Sequence, residues 1–149
     1  HLAPAGSMRI NDVSMNESFY MSNMSPQKPK FNRGVWKRLE NKVRYWASIY
    51  DSLYVVTGPV LSRPIDVIGS NGVTVPRAFY KTLVGFKEEK TRAIAFIIPN
   101  AKSNKNIYSY SVSVDNVEKI TNINFYSNFP DSIENKIEAN SDIKIWLKK

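Results

Sequence analysis

Four residues of this chain have the types and spacing to handle a phosphate and a hard cation. Asn23, Asn32 and Glu40 fall nine and eight residues apart inside the stretch from Phe19 to Tyr50, and the single histidine, His1, stands upstream. Hydrolysis of a phosphodiester requires a base to activate water, positive charge against the phosphorane oxygens, and help for the leaving oxygen. A neutral imidazole, with an ordinary pKa near ~6.5, can act as that base around neutrality. The amide oxygen of Asn32 is a hard neutral ligand of the kind Mg²⁺ accepts while keeping most of its waters. The plainer role for Asn32 is a helix N-cap ahead of Arg33 and Gly34, and the two roles are compatible.

Helical geometry separates the roles of Asn32 and Glu40. On a regular helix the two would stand ~12 Å apart along the axis, too far to ligate one ion directly. Either Asn32 folds back from a loop before the helix, or Glu40 acts through a metal-bound water, and both together are favoured. The simpler alternative for Glu40 is a solvated salt bridge to Arg44, worth a few tenths of a kcal/mol. Lys28, Lys30, Arg33, Lys37, Arg38, Lys42 and Arg44 surround Glu40 in the same segment, interleaved with Phe31, Trp36 and Tyr45. With no groove-reading motif beside it, that charge suits a phosphate backbone more than base edges. About half of these cations individually fit an ordinary solvated helix face.

The elements that must hold these groups can be read from periodicity. Phe19 to Met24 reads as a short strand running into a turn. Val35, Leu39, Val43, Trp46 and Tyr50 form one apolar stripe, which predicts an amphipathic helix from about Gly34 to Tyr50 with Arg33, Lys37, Asn41 and Arg44 on its other face. Leu53 to Thr57 predicts a strand closed by Gly58 and Pro59. Val67-Ile68 followed by Ser70-Asn71-Gly72 and Val73 predicts a hairpin. Ala78 to Val84 and Ala93 to Ile98 predict two further strands, the second apolar throughout and hence central in a sheet covered on both faces. Ser109 to Val114 alternates as a half-buried strand should. Asp115 with Glu118, and Asp131 with Glu134, resemble capping boxes of two short helices, with Ile133 and Ile137 turned to the core. The order predicts an α+β domain with a largely antiparallel sheet.

Bulk composition bounds the rest. A chain of 149 residues accommodates one domain with a real core. A net charge of +8 favours polyanionic partners, nucleic acid or anionic membrane among them. The absence of cysteine excludes disulfides, thiolate zinc sites and a cysteine nucleophile. The longest unbroken apolar run, Ala93 to Ile98, is far short of the ~20 residues of a membrane span.

Taken together, His1-Leu2-Ala3-Pro4-Ala5, Tyr20-Met21-Ser22-Asn23-Met24-Ser25-Pro26-Gln27, Phe31-Asn32-Arg33-Gly34-Val35-Trp36 and Leu39-Glu40 resemble the DNA/RNA non-specific endonucleases. That group includes the secreted bacterial nucleases and the endonuclease G type. The resemblance continues through Tyr54 to Val60, Val75-Pro76, Phe79-Tyr80-Lys81 and Tyr110 to Asp115, and so covers nearly the whole chain. It implies the ββα-metal (His-Me finger) fold, with a mostly antiparallel sheet, one main amphipathic helix and short C-terminal helices.

By that resemblance, His1 is the general base and Asn32 the sole direct protein ligand of one hydrated Mg²⁺, with Mn²⁺ or another divalent ion as a substitute. Glu40 orients the ion's waters through a water-mediated contact, and Asn23 is a further catalytic residue that supports the site near the histidine and the scissile phosphate. Lys28, Lys30, Arg33, Lys37 and Arg38 are the expected contacts to the DNA or RNA backbone, and the products carry 5′-phosphate ends. No membrane partner is expected, and a monomer or homodimer fits equally. By analogy with bacterial relatives the compartment is secreted or periplasmic. In the family the histidine follows Asp-Arg-Gly, and nothing precedes His1 here. Residues 1–149 are therefore read as the C-terminal majority of a single nuclease domain. Two other readings stand beside this one: a nuclease-like domain that binds nucleic acid or acts as a scaffold without catalysis, and a phosphodiesterase for small phosphate esters.

Overall fold

The computed structural model describes residues 1–88, 90–140 and 143–147. Its centre is an antiparallel sheet in the order β1 (Ser52–Val60), β4 (Ala78–Lys87), β5 (Lys90–Pro99), β6 (Ser111–Val112), while β2 (Asp66–Ile68) and β3 (Val73–Val75) form a separate hairpin. The long inner hairpin pairs Ala78 with Pro99 through to Lys87 with Lys90. Successive residues of β4 and β5 face opposite sides of the sheet, and both sides are covered. Phe79, Leu83, Ile94, Phe96 and Ile98 pack with Phe31, Val35, Trp36, Leu39 and Trp46 on one side. Tyr80, Val84, Ala93 and Ala95 pack with Val114, Val117, Phe125 and Ile137 on the other. The expectation that the Ala93–Ile98 run is central and doubly covered therefore holds.

After α1 (Asp12–Glu17), the single turn α2 (Pro29–Phe31) and α3 (Lys37–Ala47) cover the first side. The predicted stripe is borne out: Val35, Leu39 and Trp46 are fully buried, and Val43 and Tyr50 lie against the same cluster. The second side carries α4 (Val114–Thr121) and α5 (Asp131–Glu138), and α6 (Ile143–Leu147) returns to the first, where the Trp146 carbonyl accepts from Trp46 Nε1 at 3.2 Å.

Several expectations need correction. Phe19 to Met24 is no strand; Met21–Asn23 is a 3₁₀ turn, folded because Asn23 Nδ2 donates to the Ser18 carbonyl at 2.8 Å. The first sheet strand runs through Gly58 and Pro59 to Val60, since β1 is an edge strand and an edge tolerates proline. Gly58 is required there, because a Cβ would lie 2.3 Å from the Tyr80 hydroxyl. Of the alternating Ser109 to Val114, only Ser111–Val112 pairs, because Ile107–Tyr110 winds into a 3₁₀ turn and Val114 already begins α4. The cap of α4 is Ser113, whose Oγ accepts from the Asn116 amide, and Pro130 precedes α5, so Asp115 and Asp131 lie inside their helices. Ile137 is buried as expected, but Ile133 is exposed.

Candidate active site

The histidine sits on an irregular segment, so something else must hold it. Asn23 does so with its side chain and its carbonyl. Its Oδ1 accepts from the Ala3 amide at 2.9 Å, its Nδ2 donates to the Ala3 carbonyl at 2.9 Å, and its own carbonyl accepts from the Leu2 amide at 2.8 Å. This pairing clamps residues 2–3 as an added strand would. The Phe19 ring meets the imidazole edge-on at 4.6 Å between centroids. His1 Nε2 is left buried with no hydrogen-bond partner. The Asn23 side chain is thus engaged with the Ala3 and Ser18 backbone.

The separation of Asn32 from Glu40 is resolved by the backbone between them. Asn32–Trp36 forms a π turn in which Gly34 leaves helical values at φ −104° and ψ −112°. Such a bulge offsets the preceding residues from the helix that follows. Asn32 is thus the first residue of that turn and closes α2 at its C-terminal end, and it is no N-cap. As a result His1, Asn32, Lys37, Glu40 and Arg44 line one cavity of about 230 Å³, together with Gln27, whose Nε2 is also buried and unpartnered. Asn32 keeps helical values, φ −55° and ψ −54°, and follows α2 directly, so it does not fold back from a loop before the helix; the turn after it makes the offset.

Electrostatics in the cavity are set by Glu40. Burial raises its pKa, and the charges of Lys81 and Arg44 act against that rise. The salt bridge to Arg44 is not made. The Arg44 guanidinium turns to Asn41 Oδ1 and reaches Ser7 Oγ at 3.4 Å, leaving the Glu40 carboxylate without a hydrogen bond among the described residues. Behind it lies Lys81, only 1% exposed, its ammonium bonded to Thr57 Oγ1 and 5.0 Å from the Trp36 ring centre. Burial lowers its pKa to about 8. Lys81 and Glu40 share the wall of an adjoining hollow of about 790 Å³ that extends along β1.

The cationic residues divide. Lys28, Lys30, Arg33 and Lys37 are exposed on or beside the turn that carries Asn32. Arg38 points elsewhere: its guanidinium donates to the carbonyls of Ser103 and Lys105 at 3.1 and 3.0 Å and lines a different hollow with Asn104 and Tyr45. Sequence reasoning missed two residues as site members. Arg44 had a signal, since it lies four residues beyond Glu40 on one helix face. Lys81 had one too, being a lone cation at an inward position of an apolar strand.

A hydrated divalent ion fits the donor set on three observations: an unengaged amide at Asn32, an unpaired carboxylate at Glu40 and the orphaned, buried Nε2 of His1. The one group of three adjacent carboxylates among the described residues, Asp115, Glu118 and Glu138, belongs to α4 and α5 on the opposite side of the sheet.

The family described as DNA/RNA non-specific endonuclease matches residues 1–132. The chain is 31% identical over 141 residues to the mitochondrial nuclease EXOG of Danio rerio, covering 85% of this chain and 41% of that protein. It is 34% identical over 154 residues to a nuclease of Nostoc sp., covering 95% and 55%. With the mitochondrial endonuclease G of Homo sapiens it shares 31% over 145 residues, covering 86% and 48%. A crystal structure of an EndoG/EndoGI complex, which concerns EndoG inhibition, superposes with a TM-score of 0.81 at 34% identity, covering 87% of this chain and 59% of that one. The chain thus spans about half the length of the relatives it matches. The fold is the ββα-metal nuclease fold of endonuclease G, as expected. The secreted or periplasmic compartment is corrected: the EXOG and endonuclease G relatives are named mitochondrial, so likeness to this family does not carry export with it.

Proposed function

We propose that this chain, which belongs to the DNA/RNA non-specific endonuclease family, carries the catalytic centre of a divalent-metal-dependent nuclease that cuts DNA and RNA without regard to sugar or sequence. The observation that carries the reading is the convergence of His1, Asn32 and Glu40, each with an unspent donor or acceptor, on one cavity walled by Lys37 and Arg44. Asn32 would hold the ion through its amide oxygen, and Glu40 would orient the waters on it. The ion, Mg²⁺ first, supplies positive charge to the phosphate oxygens as charge builds on them.

The His1 imidazole, which lines the cavity, takes a proton from the attacking water. The oxygen of that water forms a bond to phosphorus as the bond to the 3′-oxygen breaks, and the departing oxygen is protonated from solvent. The products are a 3′-hydroxyl and a 5′-phosphate. Arg44, kept at the cavity wall by Ser7 and Asn41, places a fixed cation beside the scissile phosphate. Lys28, Lys30, Arg33 and Lys37 contact the neighbouring phosphates and read no bases, while Arg38 is withdrawn from that set because the loop at Ser103 and Lys105 occupies it.

The test is cleavage of circular plasmid and of RNA by the full-length protein with Mg²⁺ and with chelator. Loss of both activities under chelator, with ends that a ligase accepts as 5′-phosphates, is expected. Persistent cleavage under chelator, or 3′-phosphate ends, contradicts the reading, and salt-sensitive binding without any cleavage would favour a non-catalytic domain.

A further inference from the structure

Three carboxylates meet on the side of the sheet away from the candidate active site. Asp115 and Glu118 lie one turn apart on α4, and Glu138 is the last residue of α5. One oxygen from each lies within 4.8 Å of the others. The hollow they enclose, about 520 Å³, is also lined by Asp131, Glu134, Asn124 and Asn135, and Lys119 is its single cationic lining residue. In a chain of net charge +8 this is a local reversal of sign.

A group of acids alone would mean little. Glu138 adds an independent observation: it is 5% exposed, and its Oε1 is buried with no hydrogen-bond partner. A buried carboxylate oxygen left without a donor is costly, and the cost grows beside two like charges. The position compounds it, because the C-terminal end of a helix carries negative partial charge. Glu118 is already oriented for a ligand, since one of its oxygens accepts from the Phe125 amide at 2.7 Å and the other remains free. Everything around Glu138 Oε1 asks for a cation.

We propose that Asp115, Glu118 and Glu138 form a Ca²⁺-class site that ties α4 to α5, separate from the catalytic cavity. Oxygens on opposite sides of one Ca²⁺ stand ~4.6–5.2 Å apart, so carboxylate oxygens within 4.8 Å of one another fit inside its shell. Ca²⁺ takes six to eight oxygens in flexible geometry, which an irregular set drawn from two helices can supply, whereas Mg²⁺ demands a near-regular octahedron. The amide oxygens of Asn124 and Asn135 line the same hollow and can complete a six- to eight-oxygen shell with water. The ion acts as a structural clip. α5 buries Ile137 and leaves Ile133 exposed, so its apolar anchorage is slight and a bridge to α4 adds what packing does not supply.

Thermal unfolding of the full-length protein, free of nucleic acid, in millimolar CaCl₂, MgCl₂ or chelator tests the site. Ca²⁺ well above its Kd is expected to raise Tm by roughly 5–10 °C over chelator, and Mg²⁺ by clearly less. The rise should survive Asn32→Ala, which removes the ligand of the other site, and disappear in Glu138→Gln. Asp115→Asn, at a half-exposed position, provides the same readout should Glu138→Gln fail to fold. No Ca²⁺-specific rise in the unaltered protein overturns the proposal, as does an equal rise in the acid variants. So does a Ca²⁺-insensitive protein whose acid variants are simply more stable, for then the hollow holds a proton.

Discussion

Replacing Lys81 with methionine should make the protein more stable and less active, and the stability change should reverse sign with pH. The ammonium is buried, and its pKa falls from 10.5 to about 8. Between those values the unfolded chain binds more protons than the folded one, so stability rises with pH across that window. Below about pH 8 the penalty is fully present, and at ~1.4 kcal/mol per pH unit it amounts to about 3 kcal/mol; by pH 10 it has shrunk to about 1 kcal/mol. Methionine removes that penalty but also forfeits the bond to Thr57 and the contact with the Trp36 ring, together about 2 kcal/mol. The variant is thus expected to be about 1 kcal/mol more stable at pH 7 and about 1 kcal/mol less stable at pH 10. Urea unfolding at the two pH values reads the crossover. Activity should fall because Lys81 is the largest charge opposing the raised pKa of Glu40. Without it the carboxylate ionises at higher pH, and the acid limb of the kcat/KM profile moves upward. A stability difference that is the same at pH 7 and pH 10, or an unmoved acid limb, would refute the reasoning.

Asn23→Ala removes both side-chain bonds to Ala3 and the one to Ser18 while the Leu2 amide keeps the residue-23 carbonyl, so plasmid cleavage should drop at least ~10²-fold in kcat while Tm moves by only a few degrees. An unchanged kcat would show that the His1 segment is held by other means. Gly58→Ala drives a Cβ to within 2.3 Å of the Tyr80 hydroxyl and should cost about 1–3 kcal/mol in denaturant unfolding. Lys30→Ala or Arg33→Ala should each lower the slope of log K against log salt for DNA binding by about one, whereas Arg38→Ala should leave it unchanged. Trp146→Ala, emptying a fully buried position against Trp46 and Tyr50, should cost about 3–5 kcal/mol; a change below 1 would mean that α6 is not integral to the core.

The sheet and α3 were legible because they obey simple periods. The stripe from Val35 to Tyr50 and the apolar run from Ala93 to Ile98 each report one physical fact, which side is buried. The site was legible in its members but not in its assembly. Periodicity reads straight through Gly34, so the π turn that brings Asn32 onto the wall with Glu40 left no trace in the apolar pattern. Phe19 to Met24 has strand composition, yet the Asn23 amide turns back to the Ser18 carbonyl, which favours the local turn, and reaches Ala3 20 residues away. Helix spacing offered Arg44 to Glu40, but Asn41 and Ser7 compete for the guanidinium and win. The Glu138 hollow joins two helices separated by a loop, a proximity that only the packed structure creates.

The central claim is that the His1 imidazole, which lines the cavity, takes the proton from the attacking water. Its most direct test is plasmid cleavage by His1→Gly in the full-length protein, with Mg²⁺, with and without added imidazole. The account predicts a loss of at least ~10²–10⁴-fold. It further predicts recovery with rising imidazole, following the free-base fraction of the added imidazole. Cleavage by His1→Gly at the unaltered rate, or a lost activity that imidazole fails to restore while the variant stays folded, would contradict it.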